Sequence, residues 1–307
     1  MGLLTDRVAI VTGGGLGLGR AHCLELAAQG ARVVIVDPGV ALDGSSDDET
    51  PARAVVREIT RSGGEAEVAE LSVTDYDGIG DLISTVVASH GDLHAVVNNA
   101  GITRDKMLTS MEERDFDDVI AVHLKGTFNL MRHAAGHWRE RAKAGDRVSG
   151  RVINTTSGSG MRGNIGQLSY GAAKSAIASA TVVAAMELQR YGVSVNAVSP
   201  VARTRMTDAV AGFPGEVAPG EFDQFAPENC SPVVAYLATE QAGWITGQII
   251  RVDGNRLRSY QRWSLGAQAF APREQRALRT DEMDLALRSL YGALPLGLGD
   301  NRLQINE

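Results

Sequence analysis

The sequence predicts an α/β fold: a doubly wound parallel sheet flanked by helices, built as a single domain over residues 1–267 with a C-terminal extension over 268–307. Three observations predict it. Short apolar, β-prone runs alternate with helix-like stretches up to about residue 254, with no linker composition between them. A glycine run separates the first such strand from the first such helix. Leu93 to Asn98 (LHAVVN) is nearly continuous in apolar residues, as a parallel strand covered on both faces should be.

In chain order, Arg7 to Val11 (RVAIV) reads as a strand, followed by TGGGLGLG at Thr12 to Gly19 and, after Arg20, by the helix-like AHCLELAAQG. Glycines there permit a tight turn and let backbone N–H groups and a helix N-terminus face a pyrophosphate. The strand Arg32 to Val36 ends in Asp37, about 20 residues past the loop, where an acid can accept hydrogen bonds from an adenosine ribose. That placement favours NAD. Asp43 to Pro51 is an acidic loop before a helix from about Ala52 to Ser62; it reads as solvated surface, or as added charge repelling the extra phosphate of NADP. Strands are expected at Glu67 to Val73, Leu93 to Asn98, Arg151 to Thr156 and Val193 to Val198. Helices are expected at Phe116 to His137, Gly166 to Arg190 and, in short amphipathic form, Asp281 to Leu290. Met206 to Pro232 is too rich in Gly, Pro and acids for a regular element.

The chemistry is expected between Ser157 and Lys174. On a helix, Tyr170 and Lys174 share one face about one turn apart, so the ammonium can sit beside the phenol. An unperturbed phenol has a pKa of about 10, and a neighbouring cation favours its ionised form, which would make Tyr170 a usable base. Ser157, at the end of a strand, is placed to hydrogen-bond a substrate oxygen. The same Tyr-Lys spacing also occurs on plain helix surfaces; the independent glycine loop tips the reading toward a site.

These motifs, in this order, resemble the short-chain dehydrogenases/reductases, from about Leu4 to Asp253 and more weakly to Ala267. Thr12-Gly13, Gly17 and Gly19 match the family's TGxxxGxG loop, Asn98 to Gly101 its NNAG motif, and Ser157, Tyr170 and Lys174 its Ser-Tyr-x-x-x-Lys set. The resemblance implies a Rossmann-type fold and a cofactor site formed by Thr12, Gly13, Gly17, Leu18, Gly19, Asp37, Ser72, Val73, Asn99, Ala100, Gly101, Tyr170, Lys174, Pro200 and Val201. Three places depart from the family, one of them Pro200-Val201, where many members have Pro-Gly before a longer loop. Ser72-Val73 stands where an Asp-Val pair is usual. His123 stands where the catalytic set has an Asn, whose backbone carbonyl supports the lysine through water; it is either a tolerated substitution or a titrating member of that set. HLKGTF, INTTSGSG with GNIGQ, the short ARTRMT loop and RW-x-x-GA at Arg262 to Ala267 resemble the (3R)-hydroxyacyl-CoA dehydrogenase part of type 2 multifunctional β-oxidation enzymes.

The expected activity is therefore reversible, NAD-dependent oxidation of a secondary alcohol to a ketone, with a 3-hydroxyacyl-CoA as the substrate the resemblance implies; three rivals stand beside it: a steroid or terpenoid alcohol dehydrogenase, an NADPH-dependent 3-ketoacyl reductase, and a binding module that kept the fold. Phe213, Phe222 and Phe225 in Met206 to Pro232 read either as a lid over the substrate or as plain packing. Arg203, Arg205, Arg256, Arg258 and Arg262 read either as contacts for CoA phosphates or as a solvated or subunit-facing surface. With 30 basic and 37 acidic residues, a formal charge of −7 and no basic block, nucleic-acid binding is not expected. Cys23 and Cys230 have no metal or redox spacing, so no metal is expected. No signal segment or apolar run of spanning length occurs, and the expectation is a cytoplasmic homo-oligomer, a tetramer or dimer, acting on a small alcohol, ketone or acyl-CoA.

Overall fold

The computed structural model describes residues 2–39, 50–204, 215, 217–218, 220–261 and 278–291. The apolar runs form β1 (Val8–Thr12), β2 (Arg32–Val36), β3 (Glu65–Ala69), β4 (Ala95–Asn98), β5 (Gly150–Thr155), β6 (Val193–Val201), β7 (Ile249–Asp253) and β8 (Arg256–Ser259). They lie in one sheet in the order β3-β2-β1-β4-β5-β6-β7-β8, parallel as far as β7, with β8 antiparallel on its edge. The order reverses between β1 and β4, which opens a crevice at the carboxyl ends of the strands where α/β sheets bind ligands.

Helices α1 (Gly17–Ala28) and α2 (Pro51–Arg61), with α8 (Ser231–Ala238), cover one face. Leu26, Ile35, Val55, Ile59, Val97, Ile153 and Leu237 are packed there. On the other face lie α3 (Tyr76–His90), α5 (Gly126–Lys143) and α7 (Leu168–Leu188), over Ile10, Val34, Ile79, Val96, Leu130 and Val152. Strands β1, β4 and β5 are buried throughout, which is why their sequences are continuous rather than alternating. Trp138 is 1% exposed and satisfies its one polar atom by donating from Nε1 to the carbonyl of Leu93 at 2.7 Å.

Two elements differ from the sequence expectation. Strand β3 ends at Ala69, not Val73, because the next segment turns to cap α3: Asp75 N–H donates to the Ser72 carbonyl at 3.1 Å, and Asp75 Oδ1 accepts from Gly78 N–H at 3.0 Å. The helix expected at Phe116 to His137 runs from Glu113 to Lys143 in three parts: α4 (Glu113–Ile120), a π turn at Ala121–Lys125, and α5. Short helix α6 (Gly158–Arg162) lies between β5 and α7.

The chain divides into a unit of Met1–Tyr260 and a second of Gln261–Glu307. In the second, the described helix is α9 (Met283–Tyr291), entered through a turn at Thr280–Glu282, close to the expected Asp281 to Leu290. The domain boundary expected at residue 267 lies outside the described residues. Among those described, no helix is long and apolar enough to cross a membrane.

Candidate active site

The glycine loop between β1 and α1 is shaped by backbone need. Gly13 and Gly17 have φ of 65° and 53°, a region that other residues enter only with strain. A side chain on Gly19 would run into the Gly13 carbonyl. Helix α1 begins after Leu16 with no side-chain cap and no acid in its first turn, so its positive end is left for an anion. Thr12 ties this loop to the end of β4: its Oγ1 accepts from the N–H groups of Asn99 and Ala100, each at 3.0 Å. Asn99 Nδ2 returns bonds to the carbonyls of Thr12 at 3.1 Å and Gly13 at 3.2 Å.

Asp37 sits at the carboxyl end of β2 with Oδ2 accepting from Gly15 N–H at 3.1 Å and Oδ1 from Gly39 N–H at 3.2 Å. The carboxylate is thus fixed beside the glycine loop while staying partly open. Ser72 is exposed, its hydroxyl 2.8 Å from that of Thr74, whereas Val73 is buried and its carbonyl accepts from Asn129 Nδ2 at 2.8 Å. Pro200 and Val201 end β6, paired with Val252 and Asp253. Leu18 packs against the buried Ala202, Cys230 and Val252. A methyl on Gly17 would lie 3.6 Å from Thr204 Cγ2, so the chain leaving β6 closes on the same loop.

Ser157, Tyr170 and Lys174 come together at the ends of β5 and α7. Ser157 caps α6, its Oγ accepting from Ser159 N–H at 3.2 Å, and its hydroxyl is hydrogen-bonded with the Tyr170 phenol. Lys174 is 3% exposed and donates from Nζ to the Thr155 carbonyl at 2.7 Å, with Nζ 5.6 Å from the centre of the Tyr170 ring. Thr156 Oγ1 donates to the Lys174 carbonyl at 2.7 Å, pinning helix to strand. The electrostatics differ from the simple expectation of a cation-lowered phenol. Burial pushes Lys174 down to about 7, so its charge is only partly present near neutrality. Burial raises Tyr170 above its ordinary value, opposed by the bond with Ser157 and reinforced by the charge of Asp105. The sequence spacing revealed the neighbours but not the depth at which they sit.

His123 lies in the π turn, 1% exposed, with its ring edge-on to Tyr170 at a centroid distance of 5.3 Å. Its Nε2 is 2.7 Å from the Ile102 carbonyl and 3.0 Å from the Ile102 N–H; the former requires Nε2 to carry the proton, the latter requires it to accept. Nδ1 is buried without a partner among the described residues. Burial, then the charge of Lys174, pull the ring down to about 3, against a smaller opposing effect from the Ile102 carbonyl. The imidazole is therefore neutral near pH 7. Its ring fills the space a side chain on Gly101 would need.

Phe225 is buried and Phe222 exposed, while Phe213 and most of the segment 206–219 lie outside the described residues, as do Arg205, Arg262 and the acidic loop 43–49. Arg203 is bonded to Asp223 at 2.7 Å. Both cysteines are buried and unpaired, and burial pushes both thiols up. No cluster of three potential metal ligands occurs among the described residues. The sequence reading passed over Thr155, Ile102, Asp105 and Gln167, the last two joined by a 2.7 Å bond from Gln167 Nε2 to Asp105 Oδ2. Their part is played by carbonyls and long-range pairing, which no residue pattern announces.

Residues 7–212 match the family model described as short chain dehydrogenase. The chain belongs to that family. It is an oxidoreductase of CH–OH groups, and the cofactor of the family is a nicotinamide dinucleotide. A solved structure of a short chain dehydrogenase from Mycobacterium avium superposes with a TM-score of 0.84 at 47% identity, over 94% of this chain and 96% of that one. Hydroxyacyl-CoA dehydrogenase ChsB1 of Mycobacterium tuberculosis is 42% identical over 254 residues, 82% of this chain and 78% of that protein. The peroxisomal hydratase-dehydrogenase-epimerase of Saccharomyces cerevisiae is 37% identical over 239 residues, which span 76% of this chain but 25% of the longer protein. The relationship to type 2 multifunctional enzymes expected from the motifs is thereby shown. The site suits the family's cofactor: the loop is packed so closely that side chains at Gly13, Gly14 and Gly19 would meet neighbouring protein atoms, the α1 N-terminus is uncapped, and Lys174 Nζ has spare donors beyond the one given to Thr155.

Proposed function

We propose that this dehydrogenase reversibly oxidises a 3-hydroxyacyl thioester to the 3-ketoacyl form with NAD. The observation that carries the chemistry is the convergence of Ser157, Tyr170 and the buried Lys174 at the carboxyl end of β5. The activity named for the Mycobacterium tuberculosis relative supports the acyl substrate. Asp37 supports NAD over NADP: its fixed carboxylate suits a ribose diol and opposes a phosphate.

In this reading Ser157 donates a hydrogen bond to the substrate oxygen, and Tyr170 takes the hydroxyl proton as the carbon loses its hydride. Lys174, anchored on Thr155, stabilises the phenolate and offers its remaining donors to the nicotinamide ribose. The nicotinamide supplies the hydride acceptor. Thr12, Gly13, Gly17, Leu18 and Gly19 would line the pyrophosphate, with Asn99, Ala100, Gly101, Pro200 and Val201 toward the nicotinamide and Ser72 and Val73 toward the adenine. His123 acts by filling space and holding Ile102, in keeping with its neutral ring. Val183 and Met186, 50% and 74% exposed on the catalytic helix α7, support assembly of a homo-oligomer through that helix.

Initial rates of reduced-cofactor formation with NAD and with NADP, on a medium-chain (3R)-hydroxyacyl-CoA and on a sterol-type secondary alcohol, test this directly. NAD-dependent turnover of the thioester is the expected result. Turnover of the alcohol alone, or a preference for NADP, would overturn the substrate or the cofactor assignment respectively.

A further inference from the structure

We propose that Arg251, Tyr260 and Arg162 form a subsite for the C1 thioester oxygen of the substrate beside Ser157, an inference that rests on the acyl reading above. Side chains on β7 and β8 alternate between faces, and Arg251 points inward at 9% exposure. Its Nε has no partner among the described residues. Its nearest acid, Asp253, stands off at 3.6 Å and already accepts from Gln224 Nε2 at 2.9 Å and Arg256 Nη2 at 3.3 Å. The Tyr260 hydroxyl is also buried and also without a partner among the described residues.

These groups meet at one point. A methyl on Gly158 would lie 3.4 Å from Arg162 Nη2, 3.6 Å from Arg251 Nη1 and 3.7 Å from the Tyr260 hydroxyl. Three donors thus face a space that is open because residue 158 is a glycine. Buried donors are normally paired, and leaving one unmade costs about 1–3 kcal/mol. Two guanidinium groups brought together also repel, and Asp253, 3.6 Å from one of them, already serves two other donors. The arrangement calls for an acceptor that the ligand brings.

Position identifies which acceptor. Gly158 directly follows Ser157, which caps the short helix that Gly158 opens, so the point lies next to the residue expected to hold the C3 oxygen. The carrier phosphates of an acyl-CoA are too remote from its reacting carbon to reach it. The C1 oxygen, two carbons from the carbon being oxidised, is the ligand's acceptor next to the reacting centre when the C3 oxygen rests on Ser157 and Tyr170. The subsite would then set which end of the acyl chain faces β7 and β8.

The test compares kcat/KM for three substrates of equal chain length: a 3-hydroxyacyl N-acetylcysteamine thioester, which lacks phosphates, the free 3-hydroxy acid, and the 3-alkanol with no C1 oxygen. Arg162→Gln changes an exposed side chain and Tyr260→Phe removes one oxygen, so both variants should fold; Arg251→Met completes the set. Each variant is expected to lower the thioester-to-alkanol ratio roughly tenfold, chiefly through KM, with melting temperatures near that of the parent. An unchanged ratio in an enzyme that does turn over the thioester would overturn the subsite and leave the acyl reading standing. A larger loss on the free acid than on the thioester would overturn the thioester assignment in favour of a carboxylate. A parent enzyme that oxidises the alkanol but not the thioester would overturn both readings.

Discussion

Replacing His123 with Asn tests how the site is held together. The imidazole is buried and held down to about 3, against about 6.5 in the unfolded chain. Because the folded value is the lower one, the unfolded state takes up the proton first, and stability falls as the pH drops below 6.5. At about 1.4 kcal/mol per pH unit, the ring costs the folded state roughly 3 kcal/mol by pH 4. His22, also buried and held down to about 4, adds a similar loss over the same range in both proteins. At pH 7 the variant should be the less stable by about 1–3 kcal/mol, since it loses ring packing under Gly101 and the bond to Ile102. Denaturant unfolding at several pH values between 7 and 4 should therefore show the gap closing or reversing, by about 3 kcal/mol in all. Parallel stability curves for the two proteins would refute the buried, neutral imidazole. Turnover at pH 7 should survive the exchange, because a neutral ring gives up no proton in the cycle.

Three further outcomes are expected. Tyr170→Phe should abolish turnover while leaving nicotinamide dinucleotide binding intact by fluorescence titration; loss of binding as well would point to damage in α7 rather than to lost proton transfer. Gly101→Ala should destabilise by about 1–3 kcal/mol through overlap with the His123 ring, and the cost should shrink when combined with His123→Ala, a coupling that a double-mutant cycle measures by thermal or chemical unfolding. Thr12→Val leaves the N–H groups of Asn99 and Ala100 without their shared acceptor, and should cost about 1–3 kcal/mol in unfolding free energy together with weaker cofactor binding by calorimetry.

The sheet was legible in the sequence because its central strands are buried on both faces, so that LHAVVN could scarcely be anything exposed. Asp37 was legible too, since its distance from the glycine loop is set by one strand-helix-strand repeat. The early end of β3 was not. There a local contest, Asp75 capping α3 against further pairing of Leu71 to Val73, is decided by side-chain hydrogen bonds that apolar periodicity does not register. The lowered pKa values of Lys174 and His123 were hidden for a different reason. Helical spacing fixes which groups are neighbours, but burial depends on how α4, α7 and the NNAG turn close over them. Arg251 escaped notice because its meaning depends on Arg162 and Tyr260, far away in sequence, meeting it at a glycine.

The π turn at Ala121–Lys125 has a consequence for the length of the chain. Asp115 and Trp138 are both buried, yet at about 100° per residue the 23 steps between them would leave them roughly 140° apart on a regular α-helix. Counting one residue as absorbed by the wider turn brings the difference to roughly 40°. The turn thus works as a phase correction between α4, which packs on α7, and α5, which packs on β4 and β5. Deleting a single residue within it should leave Leu130, Ala134 and Trp138 in their seats and concentrate the damage at His123. A deletion a few residues later, inside α5, has no such slack and should rotate the whole buried stripe out of the core.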